Sequence, residues 1–116
     1  MSAFNPLEAS VLEAIAAQHP GERATLSGQF RAARVIDRTN TGAGFFIAFA
    51  VDPNIARPTR LRQPIGGIWA DTEGFRDPMT FLVFIADGYA TTLEGAAIRD
   101  NTTGVDFRRV GFGLKA

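Results

Sequence analysis

Residues 81–98 read FLVFIADGYATTLEGAAI, and no other stretch constrains the fold so tightly. Asp-Gly between two apolar runs signals a hairpin, because a type I′ turn needs positive φ at both central residues. A two-residue loop at Asp87-Gly88 sets Ala86 opposite Tyr89, Phe84 opposite Thr91 and Leu82 opposite Leu93. One face then collects Leu82, Phe84, Tyr89 and Leu93. The other holds Phe81, Val83 and Ile85 beside Thr92 and Glu94. The strand FLVFI is apolar on both sides, and at a sheet edge it would template aggregation. It is therefore expected in the middle of a sheet.

The segments around the hairpin supply the rest of that sheet and one helix. Asn5 suits an N-cap, Pro6 the first helical position and Glu8 the acidic place of a capping box. Leu7, Val11, Ala14 and Ile15 recur at helical spacing, and His19-Pro20-Gly21 ends the run. A first strand is expected within Thr25 to Asp37, with Phe30, Ala32 and Ile36 on one face. GFFIAFAV, residues 44–51, is a second strand with Phe45, Ile47, Phe49 and Val51 facing one way. IGGIWAD, residues 65–71, is a third, where Gly66-Gly67 suggests a bulge or a close backbone approach. A weaker strand is expected near Val105 to Gly111. In an up-and-down order the strands around Phe30 and Phe107 are the edges, and Arg31, Arg34, Arg38, Arg108 and Arg109 guard them. The expected fold is α+β: an N-terminal helix packed on a curved, mostly antiparallel meander of five or six strands, with residues 1–116 as one domain.

One helix covers only one face of such a sheet. The second face must be curled over, covered by the Pro-rich loop at 52–64, or packed on another copy of the chain, so a homodimer is expected through it. Charge gives no argument for nucleic acid or a membrane: twelve basic residues balance twelve acidic ones. The absence of cysteine excludes disulfides, thiolate metal sites and cysteine nucleophiles. The first ten residues lack the pattern of a secretory signal, and the apolar runs are too short for a membrane helix, so a cytoplasmic location is expected.

Candidate chemistry is sparse. Asp87 is explained by its turn. Glu94 falls on a partly apolar face, where burial favours general-acid use and a neighbouring Arg favours a structural ion pair. His19 is the sole histidine, and no serine lies in a nucleophile-elbow sequence. Gly42-Ala43-Gly44 precedes a strand, the reverse of a dinucleotide fingerprint. Asp71 and Glu73 offer oxygens to a hard cation without the spacing of a calcium loop. The strongest binding candidate is NIARPTRLRQP, residues 54–64, where Arg57, Arg60 and Arg62 can hold a phosphate, a carboxylate or an acidic protein surface. Trp69, Tyr89 and Glu94 are the candidate lining of a pocket between helix and sheet. No catalytic residue, metal or cofactor is assigned.

GAGFF (42–46), PIGG (64–67), FIADG (84–88) and LEG (93–95) together resemble a family of small uncharacterised bacterial proteins. The resemblance spans residues 42–95 and implies no activity, cofactor or site residue. Its glycines read as structural marks: Gly42 and Gly44 for a turn, Gly88 for positive φ, Gly95 for a bulge. The expected function is a non-enzymatic binding or interaction domain. The alternative is a small-ligand binder or enzyme with a pocket near Glu94 and Trp69.

Overall fold

The computed structural model describes residues 3–115. Helix α1 (Pro6–Ala17) is followed by a 3-10 turn (Pro20–Glu22) and helix α2 (Arg23–Arg31). Six strands follow: β1 (Ala33–Asn40), β2 (Gly44–Val51), β3 (Ile65–Thr72), β4 (Met79–Ala86), β5 (Tyr89–Ala96) and β6 (Phe112–Leu114). They form one open antiparallel sheet in the order β1-β2-β5-β4-β3-β6, an α+β fold with helices packed on a sheet.

The start of α1 follows from its sequence. The Asn5 side chain accepts from the Glu8 amide at 2.9 Å, and Glu8 accepts from the Asn5 amide at 3.0 Å. Leu7, Val11, Leu12 and Ile15 on one side of the helix are essentially sealed. Glu8 is sealed with them, and Arg38 on β1 answers its charge with two hydrogen bonds of 3.0 and 2.9 Å. Removing Arg38 would leave the buried Glu8 carboxylate with only its bonds to Asn5, which is destabilising even though Arg38 itself is partly exposed.

The segment expected as a first strand from Thr25 is instead α2, and the strand begins only at Ala33. Leu26 and Phe30 lie one helical turn apart and are both buried, and Ser27 donates to Glu13 of α1 at 3.2 Å. Gly28 and Thr25 weaken local helix propensity, and packing against α1 overrides that weakness. At the far end, residues 105–111 form turns in place of the expected strand, and the edge strand is β6. The order also departs from a simple meander, because β2 adds beside β5. That neighbour brings the Phe45 ring over Gly95 and within 6.1 Å of the Phe81 ring. Gly95 therefore marks a close approach and not a bulge: a Cβ there would meet Phe45 carbons at 2.7 and 2.8 Å.

The hairpin turn matches its sequence. Ala86 faces Tyr89, and Asp87 and Gly88 have φ of 53° and 85°. Beyond the turn the register slips. Ile85 faces Ala90, but Phe84 faces Thr92, Val83 faces Leu93 and Leu82 faces Glu94, so Thr91 is an extra residue on β5. A second bulge lies at Gly67, as the Gly66-Gly67 pair suggested. The helix-covered face thus receives Met79, Phe81, Val83, Ala90 and Leu93, together with Phe45, Ile47 and Phe49.

The covered core is full around Gly95. Gly95→Ala is expected to lower stability by about 1–3 kcal/mol, the usual cost of overpacking. Urea unfolding with an unchanged midpoint would contradict the packing described.

Candidate functional site

The long irregular segment 52–64 does not cover the bare sheet face. It folds back beside the β4–β5 turn, on the side of α2. Gln29 on α2 is fully buried and makes this possible. Its Nε2 donates to the carbonyls of Arg57 at 2.8 Å and Gly88 at 2.9 Å, while its Oε1 accepts from the Ala90 amide at 2.9 Å. One side chain thereby ties helix, loop and hairpin. The Thr59 amide adds a 2.7 Å bond to the Gly88 carbonyl. Gly88 is required twice here, by its φ of 85° and because a Cβ would lie 2.7 Å from Pro58.

Glu22, beside the start of α2, holds the next residue of the loop. Its carboxylate accepts from the Thr59 hydroxyl at 2.8 Å and from the Arg60 amide. The Arg60 amide, then the Thr59 hydroxyl, hold the Glu22 carboxyl below the usual carboxylate range.

Between the pinned loop and the hairpin tip lies a groove of about 830 Å³, lined among others by Thr59, Arg60, Leu61, Arg62, Ile85 and Asp87. Arg60 and Arg62 are exposed, and neither guanidinium has an ion-pair or hydrogen-bond partner among the described residues. By contrast, Arg38, Arg99, Arg108 and Arg109 all contact carboxylates. The structure brings Arg60 and Arg62 together and separates Arg57, which borders a different cleft with Thr25, Gly28 and Ile55.

The three residues expected to line a pocket are dispersed. Tyr89 lies at the hairpin tip and its hydroxyl donates to the Ala56 carbonyl at 3.4 Å. The Thr91 bulge turns Glu94 away from the helices, opposite Leu82 and Phe46. Trp69 faces the same side from β3, opposite Thr80. Asp71 and Glu73 are also engaged separately, by Lys115 at 3.5 Å and the Gly111 amide at 3.4 Å. Among the described residues no three His, Cys, Asp or Glu side chains converge as metal ligands, and no helix is long and apolar enough to cross a membrane.

Gln29 and Glu22 escape a reading of the sequence. Each looks like an ordinary polar residue, and nothing local signals a partner some thirty to sixty positions away. No family model, curated protein or solved structure matches the chain.

Two measurements check this construction. Gln29→Leu leaves the buried Ala90 amide without its partner and removes the bonds to the Arg57 and Gly88 carbonyls, so a loss of about 2 kcal/mol or more is expected, with faster exchange of the Ala90 amide. Unchanged stability and exchange would contradict the pin. Glu22 has a folded pKa below its unfolded one, so its latch stabilises above the ordinary carboxylate range and is lost as pH falls through the lowered value. The Arg60 amide resonance is expected to titrate below the ordinary glutamate range, and in Glu22→Gln to lose that transition. Titration at an ordinary glutamate pKa would contradict the latch.

Proposed function

We propose that this chain is a binding domain whose partner presents carboxylates to Arg60 and Arg62, as an acidic protein segment does. The observation that carries the reading is a pair of guanidiniums with no hydrogen-bond or ion-pair contact among the described residues, Arg60 on the held part of the loop and Arg62 just beyond it. Glu22, Gln29 and Gly88 hold residues 57–60, so less ordering cost falls on binding. Arginine suits carboxylate recognition through its planar fork of donors. Pro58, Leu61 and Ile85 add apolar wall to the groove, and its open form suits an extended segment. Asp87 at the hairpin tip favours a donor or a cationic group beside the partner's acids.

Binding is favoured over catalysis by the arrangement of the remaining candidates. An enzyme pocket between helices and sheet would require Glu94 and Trp69 on the covered face, and their register puts both on the other.

A titration of the full chain with an oligoglutamate peptide, followed by amide resonances, tests the reading. Shifts are expected at residues 58–62 and at Asp87 and Gly88. Arg60→Gln and Arg62→Gln are each expected to weaken binding about tenfold, the worth of one charge-assisted hydrogen bond. Inorganic phosphate serves as a second probe of the same two residues. Silent loop resonances, or equal affinity in the double variant, would overturn the proposal.

A further inference from the structure

The sheet face turned away from the helices carries an unpaired acid in an apolar field. The rows of this face follow from the register. One runs Thr39, Phe46, Glu94, Leu82, Gly66, and the next runs Gly44, Ala96, Thr80, Trp69. Phe46 is 42% exposed, Leu82 36% and Trp69 42%, so large apolar side chains stand open to solvent on one surface. Glu94 sits half-buried between Phe46 and Leu82 and has no hydrogen-bond or ion-pair partner among the described residues. In the row on its other side stand Ala48, Thr92 and Phe84. None of these neighbours is basic, and the arginine that β1 turns to this face, Arg34 opposite Ala50, lies a further row away from Glu94. The acid at the far end of the Ala48 row, Asp37, adds negative charge, and Asp71 already has Lys115.

We infer that this face docks a partner protein through a basic side chain, Arg or Lys, laid over Glu94 between apolar contacts to Phe46 and Leu82. Charge decides the occupant. A purely apolar cover would strand a carboxylate out of water, which costs several kcal/mol. A second copy placed about a two-fold axis through the middle of the face would bring two Glu94 carboxylates together, and like charges at that range repel. A basic group neutralises the acid while its neighbours bury the phenylalanine and leucine. The area is adequate: five strands about 4.8 Å apart and about 25 Å long present about 600 Å² in projection, near the low end of specific interfaces. This inference is independent of the groove at Arg60 and Arg62, which lies on the helix side of the sheet.

Selection of a displayed library of random short peptides on the immobilised full chain tests it. Recovered sequences are expected to carry Arg or Lys flanked by aromatic or aliphatic residues. They should lose at least about tenfold in affinity for Glu94→Gln, and Glu94→Lys should switch the selected charge to acidic. Neither substitution touches the covered core, and the amide spectrum of each variant checks that it folds. Neutral peptides winning the selection, or equal binding to Glu94→Gln, overturns the inference. So does sedimentation showing a tight dimer of the unaltered chain that Phe46→Ser or Leu82→Ser dissociates.

Discussion

One extra residue on β5 decides which side of the sheet the later side chains take. Alternation along a strand is strict, so a single inserted position exchanges the two faces from that point on. Thr91 is that residue. Before it, toward the hairpin turn, Ala90 points into the core. After it, Leu93 and Gly95 do so, and Glu94 points out. The bulge lets β5 keep Leu93 under the helices while its acid stays off the apolar side. Without it, Glu94 would share a face with Phe81 and Val83, where a carboxylate has no place unless paired.

The covered side is closed by polar side chains used as fasteners. Arg38 balances Glu8 beneath α1, Gln29 joins α2 to the loop and the hairpin, and Thr102 closes the opposite end. The Thr102 hydroxyl accepts from the Gly44 amide at 3.0 Å and donates to Asn40 at 2.8 Å. Behind it, Phe107 packs on Phe45 with ring centroids 4.8 Å apart. Each fastener bonds groups that would otherwise be buried without partners, so each fixes where one irregular segment runs. The two proposed contact surfaces are what this leaves over: a pinned loop with two exposed guanidiniums on the helix side, and a bare apolar sheet face with an acid that has no ion-pair partner among the described residues.

Much of the fold is legible where a local rule is strong. The capping box at Asn5 and Glu8, the Asp87-Gly88 turn, the inward set Phe45, Ile47, Phe49 and Val51, and the bulge at Gly67 all lie in short patterns with a clear physical meaning. The rest depends on distant partners. Residues 23–31 mix Thr, Ser and Gly with Leu26 and Phe30, and packing on α1 together with the Gln29 bonds to the hairpin selects helix over strand. The Thr91 bulge leaves no mark, since Thr-Thr continues a strand as well as it interrupts one. That hidden shift is why Glu94 reads from the sequence as facing the helices and in the structure faces the other way, while the side of Trp69 is set separately by the bulge at Gly67. The arginine loop is legible as a binding candidate, yet the parting of Arg57 from Arg60 and Arg62 depends on Gln29.

The outward position of Glu94 decides both faces of β5, and the absence of native cysteine makes that position directly measurable. Single cysteines at positions 93 and 94, Leu93→Cys and Glu94→Cys, can be compared for their rate of reaction with a thiol reagent in the folded protein. Fast labelling at 94 and protection at 93 is the predicted result. Protection at 94 with fast labelling at 93 would return the acid to the helix side and contradict the account.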